Sequence, residues 1–363
     1  MPIVIRKKIF YTISAKTIKE RSMVSMKDIA AKCGVSVATV SKALNDQTDI
    51  GIETRNLIKQ TAKELGYFPN SQARALRTNK SFNIGVLFVD QGQSGLTHDY
   101  FARVLDSFKA YVEEHGYDLT FINCARNRAG RMPYIDHCRY RGFDGIIIAC
   151  IDFHDPEVTE IFNSSIPLVA IDYVFNSRSS VISNNYGSMT LLTDYVVKCG
   201  HRKIAYVCGD DTAVTRNRLA AFYNILEKNG IEIPDDYVVH GSYRDIEITE
   251  KLTDALLDRS DRPTCIMCSD DYSAQGGLNS IYKHGLVVPD DISIAGFDGI
   301  NVVAKREPIL TTIKQDTKRI GEVAAEKLLN LIEHPKTTLE EQIVIDGKLV
   351  EGRSVKNLTE SEA

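Results

Sequence analysis

The chain has 363 residues, 43% of them hydrophobic and 25% charged, which suits a globular protein of more than one domain and excludes fibrous and low-complexity classes. The net charge of −4 hides an asymmetry: residues 1–80 carry 15 lysines and arginines against 6 acids, and the remainder 29 against 42. A basic end on an acidic body points to a polyanionic partner, and no apolar run approaches the ~18 residues of a membrane span.

Residues 1–24 read as a disordered extension. "MPIVIRKKIFYTISAKTIKERS" imitates a signal peptide faintly, but its apolar part is short and followed by more lysines, so secretion is rejected. Met23, just before the first clear helix, is an alternative start of translation. Ser25 and Asp28 have the spacing of a capping box. Ile29, Ala30 and Cys33 then mark a one-sided helix that stops at Gly34. Ser36 can cap a second helix, Val37 to Leu44, and a third runs from Ile52 to Leu65, ending at Gly66. Three short helices with a tight glycine turn between the first two make a helix-turn-helix plan over residues 25–69. The second helix is odd. Val40 and Leu44 share one stripe, while Val37, Ala38, Ser41 and Lys42 form a small, smooth outer face. Residues 70–81 follow as a linker, with Asn70 as a cap, too short and too poor in apolar residues to be a stable helix alone.

From Phe82 onward apolar runs alternate with amphipathic helices. "FNIGVLFVD", "YDLTFINC", "DGIIIAC", "IPLVAID", "KIAYVCGD", "DYVVHG", "PTCIMCSD" and "DISIAGFD" read as strands. Helices such as Tyr100–His115, Tyr186–Lys198, Arg216–Asn229 and Ser273–His284 lie between them. This alternation predicts parallel sheets covered on both faces, in two similar subdomains with a cleft at the strand C-terminal ends. Of eight cysteines, Cys124, Cys150, Cys208, Cys265 and Cys268 fall in apolar runs and are expected as buried free thiols. Cys265 and Cys268 are three apart on one strand, so they face opposite ways and cannot form a metal or redox pair.

"MKDIAAKCGVSVATVSKALN", "TRNLIKQTAKELGYFPN" and "ARALR" resemble the DNA-binding headpiece of the LacI/GalR family of bacterial transcription regulators. "SDDYSAQGGLNSI", "VPDDISIAGFDGI" and "PILTTIKQD" resemble that family's effector domain, which is like the periplasmic sugar-binding proteins (type I). The resemblance spans Met23 to Lys356. It implies an α/β chain: a small all-α helix-turn-helix headpiece, a hinge helix at 70–81, and an effector and dimerisation domain at 82–358 of two doubly wound parallel-sheet subdomains. These are about 82–184 plus 315–343, and about 185–314 plus 344–358.

The smooth face of the second helix then has a purpose. A major groove admits one slim helix and offers base edges and thymine methyls. Val37 and Ala38 can touch methyls, and Lys42 can donate to guanine. Ser36, Thr39, Ser41 and Asn45 can reach phosphates or bases, with Lys27, Thr54 and Tyr67 as further DNA contacts. The family often has arginine where this chain has Lys42, so the bidentate fork is lost. In the hinge, the family pattern places Asn70 at the start, Ala73 toward the groove and Leu76 as the wedge that kinks the operator.

For the effector, the family spacing selects Arg218 as the ligand clamp, with Arg216 as a nearby competitor. Asp172, Asp270 and Asp298 are carboxylates expected at the cleft, while Asp271 is expected to cap the following helix. With no tryptophan in the chain, Tyr243 is the candidate stacking aromatic. Asp90, His98, Tyr100 and Phe101 follow the first strand, and Thr317 replaces an aromatic of the relatives. Three carboxylates around one arginine suggest a neutral polyol or sugar, with purines or nucleosides as the alternative. The resulting expectation is a cytoplasmic homodimeric repressor of carbohydrate-utilisation genes that binds double-stranded operator DNA and a small-molecule effector. It needs no cofactor, no metal and no membrane. Its tail "GRSVKNLTESEA" has no leucine heptad for a tetramer. A glycosidase would need a nucleophile–base pair beside its carboxylates, a periplasmic binding protein would lack residues 23–80, and a purely architectural DNA-binder would need no pocket.

Overall fold

A computed structural model describes residues 24–68, 78, 80–90, 95–122, 132–300 and 307–359. The chain divides into two compact units, Met1–Asn79 and Lys80–Ala363.

The first unit holds α1 (Met26–Cys33), α2 (Val37–Leu44) and α3 (Ile52–Leu65). The Asp28 carboxylate accepts from the backbone N–H and hydroxyl of Ser25, which closes the N-terminus of α1. Gly34 ends α1 at φ 67°, a left-handed turn that a side chain would strain. Ser36 Oγ accepts from Thr39 N at 3.1 Å to cap α2. Ile29, Ala30, Val40, Ala43, Ile58 and Ala62 are the buried core. Leu44, expected to share the buried stripe, is half-buried, and Ala43 takes its place.

The second unit contains two parallel sheets. The first has six strands in the order β11-β5-β4-β3-β1-β2: β1 (Asn83–Phe88), β2 (Asp118–Phe121), β3 (Gly145–Ala149), β4 (Leu168–Ile171), β5 (Ser179–Ser183) and β11 (Gln342–Ile345). The second has four, ordered β7-β6-β8-β9: β6 (Ile204–Cys208), β7 (Val238–His240), β8 (Cys265–Cys268) and β9 (Ser293–Ala295). A small antiparallel pair, β10 (Thr312–Lys314) with β12 (Lys348–Val350), completes the set. The first sheet is flanked by α4 (Asp99–Glu114), α5 (Tyr134–Arg141), α6 (Pro156–Phe162) and α11 (Thr317–Glu333). The second is flanked by α7 (Asn185–Lys198), α8 (Ala213–Lys228), α9 (Ile246–Leu257) and α10 (Asp271–Lys283).

Both sheets are buried on two faces, which is why β3, β4, β6 and β8 read as continuous apolar runs. Cys265 packs into the core on one face of β8 and Cys268 into the core on the other, as the alternation of a strand requires. The described cysteines are free. Two of the predicted buried positions differ. β2 is an edge strand, exposed at both ends, and Cys150 lies just beyond β3, half-buried at φ 51°. Cys124 lies outside the described residues. Among the described residues no helix is long and apolar enough to cross a membrane.

Candidate functional site

The first candidate surface is the outer face of α2. Its buried residues are Val40 and Ala43, so the opposite side carries Val37, 42% exposed, with Ala38 and Ser36 exposed beside it and Thr39 and Ser41 half-buried. Val37 has no core to fill, and its apolar surface faces outward. Lys42, one turn on, ion-pairs with Asp49, and Lys59 ion-pairs with Asp46. Each lysine holds its carboxylate partner below the usual range. Such exposed pairs contribute little and exchange readily for another anion. Asn45 donates its amide to Ser41 O. Arg55, which sequence reading passed over, holds the loop after α2 by donating to Gln47 O at 2.8 Å and Ile50 O at 3.1 Å. Lys27 is exposed, Thr54 half-buried, and Tyr67 packs against the small core. Asn70, Ala73 and Leu76 lie outside the described residues.

The second candidate site lies where the parallel strands of the second unit end. Asp90 follows β1, Cys150 β3, Asp172 β4, Tyr243 and Arg244 β7, Asp270 β8 and Asp298 β9. Loops at strand C-terminal ends are where open α/β sheets bind ligands. Cys150, Asp172, Arg244 and Asp298 all have positive φ, at 51°, 54°, 60° and 97°. Non-glycine residues held there are strained, and such strain clusters at functional sites.

Tyr100, at the start of α4, is buried and donates its hydroxyl to Asp172 Oδ2 at 2.6 Å. Ser183 N donates to Asp172 Oδ1 at 2.7 Å. Burial and the adjacent Asp172 charge push the Tyr100 phenol well above its usual range. Phe101 sits edge-on to His98, Tyr100 and Phe88. Asp90 accepts from Gly95 N at 3.0 Å and lies against the Cys150 thiol.

On the other sheet, Arg218 is 3% exposed. Its Nε donates to Asn185 Oδ1 and its Nη1 to Ser269 O, both at 2.8 Å. Its Cζ lies 3.6 Å from the Phe297 ring centre and 5.8 Å from that of Tyr243. Tyr243, Asp298 and Asp172 all lie within electrostatic reach of the guanidinium. Arg216 is excluded as a competitor, because it is exposed and paired with Asp211. The Tyr243 hydroxyl meets Thr215 Oγ1 at 2.7 Å, and its ring lies over Gly209, where a Cβ would come within 2.3 Å.

Asp298 accepts from Gln315 Nε2 at 2.6 Å. Burial raises its carboxyl to about 6, opposed by Arg218. His98 is moved the other way, to about 4, by burial and then by the Arg244 charge.

The helix cap falls to Asp270, not to Asp271. Asp270 Oδ1 accepts from Ser273 N at 2.9 Å, and its Oδ2 accepts from Arg244 N at 2.8 Å. Asp271 is fully buried and ties Ile300 N and the Thr312 hydroxyl, both at 2.6 Å; burial pushes its carboxyl well above the usual range. Thr317, which replaces an aromatic of the relatives, begins α11 behind the Asp316 cap and lines a small hollow with Tyr100, Asp298 and Gln315. Asn185, Phe297, Gln315 and Arg244 belong to the same cluster and were not singled out from sequence. The one available signal was Arg244 standing in a strand-end loop and Asn185 opening the helix that follows β5.

Residues 25–70 match the model for "Bacterial regulatory proteins, lacI family", and residues 193–355 that for a "Periplasmic binding protein-like domain". The chain is 30% identical over 338 residues to the HTH-type transcriptional repressor PurR of Salmonella paratyphi B, covering 92% of this chain and 97% of that protein. Among solved structures, the Lac repressor dimer bound to operator and the anti-inducer ONPF is 25% identical with a TM-score of 0.77, covering 92% of this chain and 99% of that one. The transcriptional regulator CelR–cellobiose complex shares the fold at 23% identity and a TM-score of 0.66, over 91% and 99% of the two chains.

Proposed function

This chain belongs to the lacI family of bacterial regulatory proteins, and we propose that a small sugar bound in the strand-end cleft sets its affinity for operator DNA. It is a DNA-binding transcriptional regulator and not an enzyme. In this reading it is a cytoplasmic homodimer that represses transcription from a near-palindromic operator. Each half-site is read by the Val37–Asn45 segment, and Leu76 kinks the centre. Residues 70–81 act as the hinge that orders on the operator.

One observation carries the DNA reading: a capped helix presents Val37 and Ala38 to solvent instead of to its core. Such a helix can enter a major groove and touch thymine methyls while Lys42 reaches a base. For the effector, Asp172 and Asp298 around the Arg218 guanidinium offer acceptors and a donor to ring hydroxyls, and Tyr243 offers an aromatic wall. Sugar binding is taken to release the operator, and the coupling is reciprocal: operator must weaken sugar binding by the same factor.

The test is a thermal-shift screen of the full chain against sugars, sugar derivatives and nucleobases. A ligand at 100 times its Kd adds about 2.7 kcal/mol. The hit should weaken operator binding in fluorescence anisotropy, and Arg218→Lys should lose the hit while keeping operator affinity. A nucleobase hit would replace the sugar reading, and operator affinity indifferent to every ligand would end the effector reading.

A further inference from the structure

The cleft contains a second arginine whose surroundings differ from those of Arg218. Arg218 is held on two edges and one face, by Asn185, Ser269 and Phe297. Arg244 is fixed by its backbone, whose N–H donates to Asp270 Oδ2 at 2.8 Å, and by its guanidinium, 4.4 Å from the Tyr272 ring centre. Its only side-chain hydrogen bond among the described residues is from Nη1 to His98 Nδ1, at 3.4 Å. That contact spans the two sheets, since His98 precedes α4 and Arg244 follows β7.

The remaining edge of the guanidinium has no hydrogen-bond partner among the described residues. Arg244 Nε is buried with no hydrogen-bond partner, and no described carboxylate forms an ion pair with the side chain. Asp90 and Asp270 lie in the same neighbourhood. Asp270, however, is occupied by the α10 cap, by the Arg244 backbone and by the Ser269 and Ser273 hydroxyls. A buried donor without a partner is destabilising, and more so when it is charged. A guanidinium in this state calls for an anion with two oxygens in a plane, which its fork matches. His98 fits the same purpose. With Nδ1 accepting from Arg244, the neutral ring carries its proton on Nε2 and offers a second donor.

We propose that the effector is a sugar bearing an anionic group, a phosphate ester or a carboxylate, and that Arg244, supported by His98, receives that group. The proposal rests on the sugar reading above and narrows it. It also revises the expectation of a neutral ligand, which counted Asp172, Asp270 and Asp298 as facing one arginine. Asp172 and Asp270 are already hydrogen-bonded within the protein, and a second cation stands beside them.

The experiment is calorimetric titration of the full-length protein with aldohexoses and aldopentoses, their terminal monophosphates and their uronic acids. The tightest ligand should be a charged derivative, at least tenfold tighter than its neutral parent. The phosphate and carboxylate arms identify which group is used. Arg244→Gln should remove that advantage, weakening the charged derivative at least tenfold more than its neutral parent. Arg244→Lys should retain part of it, which guards against misfolding of the glutamine variant. A neutral sugar that binds as tightly as its charged derivatives would overturn the proposal, as would an Arg244→Gln variant that weakens both equally. If no sugar of any kind binds, it is the sugar reading that fails first, and the proposal with it.

Discussion

On the outer face of α2, Val37 and Ala38 stand exposed and Lys42 holds only a surface ion pair. In the cleft, Asp172, Arg218 and Asp270 are each hydrogen-bonded to residues that are distant in sequence or already committed to a cap. The two surfaces are therefore specified differently. A DNA-reading face is written locally, as a helix whose small apolar residues fall on the wrong side. A pocket is written by long-range pairing, so that its polar groups are oriented before any ligand arrives.

Four measurements bear on this difference. The largest effect should come from the thin core beneath α2. Among the described residues only six apolar side chains are buried there, and Ile58→Ala should cost about 2–5 kcal/mol. Hydrogen exchange should show α1–α3 opening while the parallel sheets stay protected; equal loss of protection in both units would break the contrast. Second, Gly209→Ala places a Cβ against the Tyr243 ring. It should cost about 3 kcal/mol of overpacking and abolish effector binding, with operator affinity at low salt unchanged. Third, Lys42→Ala should relax preference at one guanine of each half-site by about 1–2 kcal/mol. A uniform loss across all operator sequences would make Lys42 a phosphate contact.

The smallest effect is a pair of opposed pH slopes in the cleft. Asp298 titrates near 6 when folded against 3.8 in an open chain. Between those values the native state keeps a proton the unfolded state has lost, so stability falls as pH rises. His98 titrates near 4 against 6.5. There the unfolded state holds the extra proton, so stability rises with pH over nearly the same window. Both groups are half-buried, which limits each effect to about 1 kcal/mol. Thermal melts from pH 4 to 6.5 should be nearly flat for the wild type, climb with pH in Asp298→Asn, and decline with pH in His98→Gln. Parallel curves for all three would place neither titration in the folded protein.

The headpiece helices were legible to the residue, because Ser36, Gly34 and Gly66 punctuate them with caps and left-handed turns. In the body, β1, β3, β4, β6 and β8 were legible as apolar runs. β5 was not, since its inward residues include Ser179, Ser180 and Ser183, and β10, β11 and β12 are too short or too exposed to show a pattern. α9 buries Thr249 and Thr253 toward α10, so an apolar stripe understates it. In the cleft, predicted strand ends pointed to Asp172 and Asp298 and the family pattern to Arg218 and Tyr243, and all four stand at or beside strand C-terminal ends. Neither signal could reach Arg244, whose role depends on a Tyr272 face and a His98 ring brought together across the fold, nor distinguish Asp270 from its neighbour as the cap.

The polypeptide passes between the six-stranded and four-stranded layers three times: after β5, between β10 and α11, and between β11 and β12. Two of these passages are bonded to each other, with Asn184 N donating to Ile345 O at 2.8 Å and Asn184 Nδ2 to Asp346 Oδ1 at 2.7 Å. Gly347 beside them has room for no Cβ, which would meet Ile313 and Ser188 at 2.8 Å. A single tether would leave one lobe free to twist and tilt about every axis. Three passages with two bonded together remove most of those degrees of freedom, leaving a swing about one line as the soft mode. A ligand that closed the cleft would then have little disorder to suppress, and its binding free energy would be delivered as a defined rotation.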